Sequence, residues 1–233
     1  MGYIKVTYSK DEINTAGEVL INAELDMSTV DQAYEVVNSW RVAHNWPMNV
    51  LYMALKRHCG AMKVTRLVVQ RIKRMRTIRK KLLLYKNKRL TLSEMQDIGG
   101  CGVIFKDVKA VYDLAERLKS SGMKHKLEYI NDYIQDPKIK SGYRGLHLIY
   151  SYFSDKNPNY NGHRIEIQIR TALQHAWATA VETVDTFTQQ SLKSNQGKKE
   201  WRKFFKLMAS VMAIRENTTL APDTPTDLIG LRK

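Results

Sequence analysis

Residues 163–171 read His-Arg-Ile-Glu-Ile-Gln-Ile-Arg-Thr, and this stretch decides how the rest of the chain is interpreted. Isoleucine occupies every second position from Ile165 to Ile169, which predicts a β-strand with one apolar and one polar face. The polar face carries Arg164, Glu166, Gln168 and Arg170. This face is either the solvated outside of an antiparallel sheet or the floor of a site for a metal ion and phosphate oxygens.

The other elements are predicted from apolar periodicity and from capping and turn residues. We expect helices over residues 9–25, from 28 onward, over 47–59, 74–85 and 107–120, from 171 onward, and over about 198–216. We expect further strands over residues 67–73, up to 105, over 124–130 and over 146–153. Strands interleaved with helices predict an α/β or α+β fold, with a mixed five-stranded sheet flanked by helices.

The chain is predicted to have three sections. Residues 1–62 form an N-terminal helical section, residues 63–190 form the core with the sheet, and residues 191–233 form a C-terminal basic helix followed by a loose tail from Asn217. Ser9 and Thr171 are the predicted N-caps of their helices.

The chain has 233 residues, and its composition is typical of a soluble globular protein. No apolar run is long enough to span a membrane, and the N-terminus lacks the apolar region of a signal peptide, so we expect a cytoplasmic protein without a membrane partner. The two cysteines, Cys59 and Cys101, belong to no paired motif and are interpreted as small core residues.

The formal net charge of +15 comes from one segment of the chain. Residues 36–93 contain fifteen Lys and Arg and no acidic residue, while the other twenty-three Lys and Arg are balanced by all twenty-three Asp and Glu. Such a block indicates a polyanionic partner, either nucleic acid or a nucleotide polyphosphate, and less often an anionic membrane. A solvated basic face would normally contain interspersed acidic residues.

Cations at the start of this core suit a triphosphate, because Arg forks and Lys point charges neutralise several oxygens at once. The candidates for ATP binding are Arg71, Lys73, Arg74, Arg79 and Lys81.

Asp97 precedes a buried strand in a glycine-rich loop. It is either a loop cap or, together with Glu166, one half of a two-carboxylate Mg²⁺ site, since Mg²⁺ takes one or two protein carboxylates plus phosphate oxygens.

The loop Ser141-Gly-Tyr-Arg-Gly-Leu-His147 is the next candidate. Its glycines permit a close backbone approach, so we expect the Tyr143 ring to be exposed and to stack on a base, with Arg144 and His147 as further donors. The alternative is a glycine turn with an aromatic lid.

Taken in order, these segments resemble the motifs of the RelA/SpoT synthetase family over residues 65–185. The matching segments are Arg71-Ile-Lys-Arg74, Asp97-Ile-Gly-Gly100, Asp132-Tyr-Ile-Gln-Asp-Pro-Lys138, Gly142-Tyr-Arg-Gly-Leu-His147, Glu166-Ile-Gln-Ile-Arg-Thr171 and Trp177-Ala178. No His-Asp dipeptide occurs, so the chain looks like a stand-alone small alarmone synthetase that lacks the family's hydrolase domain.

The resemblance implies a nucleotidyltransferase-like fold and an ATP-dependent pyrophosphokinase that transfers the β,γ-diphosphate of ATP to a ribose 3′-hydroxyl. It implies that Asp97 and Glu166 bind Mg²⁺ and that Glu166 is the general base. Gln168 and Arg170 would be catalytic as well. The implied acceptor-binding residues are Lys138, Tyr143, Arg144 and His147.

Three positions depart from the family pattern. Gly102 stands where the family has Arg, Arg74 stands where it has Ser, and the loop between Lys138 and Gly142 is one residue longer than the commonest form. The missing Arg removes a cation from the donor side.

The resemblance leaves several acceptors open, namely GDP or GTP, adenosine nucleotides, and the 3′-terminal adenosine of tRNA. Residues 151–216 resemble the toxic members that block translation by modifying tRNA, which implies a possible antitoxin partner. The acid-free basic segment also favours tRNA, because many cations along an RNA backbone are rewarded by counterion release. A non-enzymatic RNA- or ribosome-binding module is the other alternative, although retained carboxylates would only repel RNA.

Overall fold

The computed structural model describes residues 7–22, 26–62, 65–189, 192, 197–225 and 227. Its helices are α1 (Lys10–Val19), α2 (Met27–Ala43), α3 (Asn45–Met62), α4 (Met75–Leu84), α5 (Val108–Lys119), α6 (Ala172–Thr188) and α7 (Lys199–Arg215). Its strands are β1 (Thr65–Ile72), β2 (Gly99–Phe105), β3 (Lys126–Asp132), β4 (Leu146–Ser151) and β5 (Arg164–Thr171). Among the described helices, none has the length and apolar character required to cross a membrane.

The five strands form one mixed sheet in the order β1-β2-β5-β4-β3. The β2–β5 pair is parallel and the other pairs are antiparallel, which confirms the predicted mixed α+β architecture. Because β5 is the central strand, the polar residues of its open face have neighbours on both sides.

Strand β5 alternates as predicted, with Ile165, Ile167 and Ile169 completely buried. These side chains belong to a core that also contains buried residues of β2, β4, α3 and α5. Helix α3 therefore packs on the sheet, although the sequence assigned it to a separate N-terminal section. Cys59 and Cys101 lie in the same core, and burial raises the pKa of the Cys101 thiol to about 12.

A second apolar cluster joins helices α1, α2 and α4 to the segment 92–98. Helix α1 begins with the predicted capping box, in which Ser9 and Glu12 exchange hydrogen bonds. The cluster fixes α4 and the segment 92–98 beside the open face of the sheet, so it holds the cations of α4 near Asp97.

Of the predicted loose tail, the structure describes residues 217–225 and 227, and the rest of it lies outside the described residues. After α7, residues 217–225 turn back on the helix, where Thr218 N–H bonds the carbonyl of Ala213 at 2.9 Å and Ala221 is 2 % exposed. The Pro- and Thr-rich composition of this segment does not indicate the packing, because the packing depends on tertiary contacts and not on a local sequence pattern.

Three aromatic side chains meet in a buried cluster between α2 and β5. The ring centroids of Trp40 and His163 are 4.3 Å apart, and those of His44 and His163 are 4.6 Å apart. Burial lowers the pKa of His163 to about 4, and it holds the pKa of His44 well below its ordinary value. Both rings are therefore neutral in the folded protein at neutral pH.

We predict that acid destabilises the fold through this cluster. An unfolded His titrates near pH 6.5, whereas folded His163 takes up a proton only near pH 4. Between these two pH values the unfolded state therefore binds more protons than the folded state, and the free energy of unfolding falls as the pH falls. Urea unfolding at pH 7 and pH 5 should show a loss in the wild type that exceeds the loss in His163→Gln by about 2 kcal/mol. Parallel pH dependences in the two proteins would contradict this assignment.

Candidate active site

We call the face of the sheet that carries Glu166 the open face, since the other face packs on the core. On the open face, glycines of β2 lie next to functional side chains of the neighbouring strands. Across the strands, Arg71 of β1, Gly100 of β2 and Glu166 of β5 share one register row. Gly102 lies opposite Gln168 in the next row on this face. A Cβ on Gly100 would approach nothing closer than 3.7 Å, so the space between Arg71 and Glu166 is open.

Five side chains on this face form a closed hydrogen-bonded ring. Arg170 donates to the Tyr143 hydroxyl (2.6 Å from Nη2), which contacts His147 Nε2 (2.6 Å), and His147 Nδ1 contacts Glu166 Oε1 (2.8 Å). On the other side, Arg170 Nη2 donates to Gln168 Oε1 (2.6 Å), and Gln168 Nε2 donates to Glu166 Oε2 (2.6 Å). The ring therefore has two arms, one through Tyr143 and His147 and one through Gln168, and both join Arg170 to Glu166.

The ring keeps Glu166 ionised in a buried place. Burial raises the pKa of Glu166, but the hydrogen bond and electrostatic attraction of His147, together with the hydrogen bond from Gln168, lower it more, so the net pKa lies below the ordinary value. Each carboxylate oxygen accepts one of these bonds and keeps capacity for another. The free lone pairs leave Glu166 chemically able to accept a proton or to bind a metal ion.

Asp97 lies beside this ring and is held by two lysines. Its carboxylate oxygens contact Lys73 Nζ and Lys81 Nζ, each at 2.8 Å. Burial raises the pKa of Asp97, but the two ammonium groups lower it more. The charge of Asp97 acts to raise the pKa of Glu166, and both carboxylates act to raise the pKa of Lys138, so we place the two carboxylates in one cleft.

Residues 136–145, called here the Tyr143 loop, form the other wall of the cleft. Lys138 Nζ lies over the Tyr133 ring at 4.6 Å and over the Tyr143 ring at 5.1 Å. Partial loss of solvent lowers the pKa of Lys138, whereas nearby Glu166 acts in the opposite direction. The Tyr143 ring is half-buried against Trp177 rather than exposed as expected, because Arg170 and His147 hold its hydroxyl inward.

Not every candidate side chain enters the cleft. Lys73, Lys81 and Lys138 do, and Arg71 lies on the open face. Arg74 is exposed at the N-cap of α4, where its side chain provides no capping bond. Arg79 Nε donates to the carbonyl of Leu20 at 2.8 Å and so ties α4 to α1.

Arg144 departs most from its expected acceptor-binding place. It is only 3 % exposed, and its Nη1 donates to the carbonyl of Ile134 at 3.3 Å. Its position between Tyr143 and Gly145 directs it to the interior, because successive residues of an extended chain point to opposite sides. Arg144 therefore braces the loop from within.

Two residues near the site escaped the sequence analysis. Tyr133 makes edge contacts with Tyr143 and His147, at centroid distances of 5.7 Å and 5.2 Å. Arg41 Nε donates to the carbonyl of Lys73 at 2.9 Å and fixes the backbone that carries this lysine. Tyr133 lies inside a recognised motif and could have been named, but Arg41 acts across 32 positions of sequence and has no local signal.

The donor set fits Mg²⁺ only in combination with a substrate. In the described ranges of the chain, no group of three or more His, Cys, Asp or Glu side chains is placed to hold a metal ion. Asp97 and Glu166 would therefore supply the two protein carboxylates, and phosphate oxygens and water would supply the remaining ligands, which is the usual arrangement for Mg²⁺.

Comparison with known proteins agrees with this geometry. The sequence pattern described as a region found in RelA/SpoT proteins matches residues 70–189, more than half of the chain. The chain belongs to the RelA/SpoT family. The matched residues contain β2 to β5, both carboxylates and the Tyr143 loop, whereas α7 lies outside them.

Among curated RelA/SpoT relatives, the GTP pyrophosphokinase YwaC of Bacillus subtilis (strain 168) is 33 % identical over 101 residues, which are 42 % of this chain and 47 % of YwaC. The chain thus matches about half the length of this curated relative.

Solved structures share the fold at lower identity. Small alarmone synthetase 1 of Bacillus subtilis, bound to its product pppGpp, has a TM-score of 0.65 at 21 % identity, and the match covers 77 % of this chain and 92 % of that one. Small alarmone synthetase 2 of Bacillus subtilis has a TM-score of 0.65 at 20 % identity, with 84 % and 97 % covered. A GTP pyrophosphokinase family protein from Streptococcus pneumoniae has a TM-score of 0.61 at 23 % identity, with 74 % and 85 % covered. These similarities confirm the predicted RelA/SpoT fold.

We predict that Asp97 competes with polyphosphate for Lys73 and Lys81. In Asp97→Asn the two ammonium groups repel each other without a counter-charge, so the variant should melt at a lower temperature than the wild type. Inorganic triphosphate without metal should then raise the melting temperature of Asp97→Asn more than that of the wild type.

The matched control is Asp113→Asn, which breaks the exposed bond of Asp113 to Lys109 on α5, away from the cleft. This variant should respond to triphosphate like the wild type. An equal response of Asp97→Asn and the wild type would show that the two lysines do not form an anion site.

Proposed function

We propose that this protein transfers the β,γ-diphosphate of ATP to the 3′-hydroxyl of a ribose. The observation that carries the proposal is the shared cleft of Asp97 and Glu166, with donor-side lysines at one carboxylate and the hydrogen-bonded ring at the other. Two ionised carboxylates in a basic cleft suit in-line phosphoryl transfer, where catalysis is mainly positioning and charge stabilisation. A module that only binds RNA gains nothing from them.

On the donor side, the ATP phosphates replace Asp97 as the ion-pair partner of Lys73 and Lys81. Arg71, on the open side of the glycine floor, adds a third cation within the same row as Glu166. Asp97 and Glu166 would hold Mg²⁺, which neutralises charge on the phosphates when it is bound. Exposed Arg74 and Arg79 extend the positive surface beyond the triphosphate.

On the acceptor side, the base lies against the wall made by Tyr133 and Tyr143, with Lys138 displaced from the rings toward the phosphates. The 3′-oxygen attacks the β-phosphorus while its proton passes to Glu166. The bond between the β-phosphorus and the oxygen that bridges it to the α-phosphate breaks, and AMP leaves with that electron pair. His147 and Gln168 orient the Glu166 carboxylate, and Arg170 stabilises the charge on the migrating group.

For the acceptor, we propose the 3′-terminal adenosine of tRNA. Exposed cations continue along α4 and the turn after it, and they are far more numerous than a mononucleotide requires. They belong to the acid-free segment of the chain. These residues are Arg74, Arg76, Arg79, Lys80, Lys86, Lys88 and Arg89. In this proposal the protein blocks translation as a toxin, and an antitoxin would restrain it.

The second candidate is synthesis of guanosine alarmones from GDP or GTP. It is favoured by the relatives, since YwaC is named a GTP pyrophosphokinase and small alarmone synthetase 1 was solved with its product pppGpp. Adenosine nucleotides are a third acceptor class for the same chemistry.

The deciding experiment offers γ-³²P-ATP with GDP, GTP, AMP or bulk tRNA in separate reactions. We expect label on tRNA, because the γ-phosphate travels with the β-phosphate, and none from α-³²P-ATP. Periodate-oxidised tRNA, which lacks the terminal diol, is the matched acceptor control and should stay unlabelled. Glu166→Gln is the protein control.

Label on GDP or GTP alone would select the alarmone candidate. Folded wild-type protein that labels none of the acceptors in the presence of Mg²⁺ would refute the proposed transfer.

We further predict that Gly102→Arg raises the rate of transfer. Gly102 lies on the floor of the cleft beside Gln168, and an Arg here would return the cation of the family pattern to the donor side. Its Cβ would lie 3.1 Å from Val69 Cγ2, a tight approach that Val69 can relieve because it is 42 % exposed on an edge strand. One additional charge-assisted hydrogen bond in the transition state corresponds to an increase of roughly ten- to a hundredfold.

Turnover is measured for Gly102→Arg, for Val69→Ala and for the double variant. The double variant should be at least as fast as Gly102→Arg, while Val69→Ala alone matches the wild type. A decrease in both Gly102→Arg variants would mean that another cation already occupies this space.

A further inference from the structure

Helix α7 lies outside the residues that match the family, yet it packs directly on the Tyr143 loop. Gly142 has a φ of +73°, and a Cβ on it would lie 2.9 Å from Ala209 Cβ and 3.5 Å from Lys206 Cα. The tail also contributes, since Ala221 Cβ would be 3.6 Å away. The loop backbone therefore rests on α7 with no room for a side chain between them.

The same helix is attached to the strand that carries Arg170. Glu216, the C-cap of α7, accepts hydrogen bonds from the Thr171 hydroxyl and from Gln174 Nε2, the latter at 2.9 Å. Thr171 directly follows Arg170, and together with Gln174 it forms the capping box that starts α6. The Glu216 carboxylate thus fixes the point where β5 turns into α6.

Between these two attachments lies the bond from Arg170 to the Tyr143 hydroxyl. Tyr143 packs on the apolar cluster of α6 and α7, in which Trp177 Nε1 donates to the carbonyl of Phe205 at 2.8 Å. On the donor side, Lys73 is held instead by α2 through Arg41. The contacts of α7 described here therefore bear on the Tyr143 side of the cleft.

We propose that α7 is the element that positions the acceptor wall, and that Glu216 is a positioning residue for Tyr143 and Arg170. This inference rests on the proposed function and deepens it. Glu216 fixes the end of β5, and the Gly142–Ala209 contact fixes the Tyr143 loop. Together they determine the positions of the Tyr143 ring and the Arg170 guanidinium. In this proposal the helix governs acceptor use and the position of Arg170, and it does not support the ATP-binding Lys73 and Lys81.

The first test compares Glu216→Ala with Glu200→Ala, which removes the same charge from the exposed first turn of α7. Glu216→Ala should raise the KM for the acceptor by about tenfold, with an unchanged dissociation constant for a non-hydrolysable ATP analogue. Glu216→Gln, which can still accept from Thr171, should recover most of the loss. Glu200→Ala should match the wild type.

The second test is a double-mutant cycle across the loop contact. Gly142→Ala should weaken acceptor use because its Cβ meets Ala209 and its φ suits glycine. Ala209→Gly removes the atom that Cβ would meet, so the double variant should regain at least about threefold in kcat/KM over Gly142→Ala. Independent, multiplicative effects of the two substitutions would contradict the contact.

A readout without turnover separates this inference from the proposed function. Hydrogen exchange in Glu216→Ala should become faster in residues 136–145 and stay unchanged in residues 97–101 on the donor side. The contrary result is slower transfer at an unchanged acceptor KM, together with faster exchange that is spread evenly over the sheet. It would mean that Glu216 only stabilises the fold, and it would overturn the inference. If the wild type transfers no diphosphate, the proposed function fails, and the exchange pattern still decides whether α7 holds the loop.

Discussion

The attraction between Arg170 and Glu166, relayed through two hydrogen-bonded arms, is the constraint on which the cleft depends. An ionised carboxylate in a buried place is costly unless donors surround it. Here one arm passes through Tyr143 and His147 and the other through Gln168, so hydrogen-bonding partners contact both carboxylate oxygens of Glu166. The arrangement also explains why the Tyr143 ring is turned inward, since its hydroxyl is a member of the ring.

The two halves of the cleft are built from different parts of the chain. The half around Asp97 takes Lys73 from just after β1 and Lys81 from α4. The apolar cluster around Ile78 and Leu82 fixes α4, and Arg41 of α2 fixes the backbone of Lys73. The other half takes its side chains from β4, β5 and the Tyr143 loop. Strand β5 joins them, because its parallel partner β2 follows Asp97 and its antiparallel partner β4 carries His147.

How much of this the sequence predicts depends on the range of the interactions involved. The alternation of β5 and the caps at Ser9 and Thr171 are local patterns, and the structure has them as predicted. The pairing of Asp97 with Glu166 rests on the ligand chemistry of Mg²⁺ and on the family resemblance, since no spacing in the sequence indicates it. Two predicted side chains have partners outside the cleft: Arg79 bonds the carbonyl of distant Leu20, and Arg144 bonds the carbonyl of Ile134, ten positions earlier in the sequence. The tail after Asn217 packs on Gly142, some 80 positions earlier in the sequence, and no local pattern records such a contact.

The position of α7 after the sheet in the sequence has a consequence for synthesis on the ribosome. Chains emerge from their N-terminus, and units fold as they become complete. The strands and the carboxylates are complete at Thr171, whereas the helix on which the Tyr143 loop rests emerges only afterwards. Under the proposed function, a growing chain would contain both carboxylates before the Tyr143 loop has its support, and the loop would gain that support only once residues 199–225 had been made.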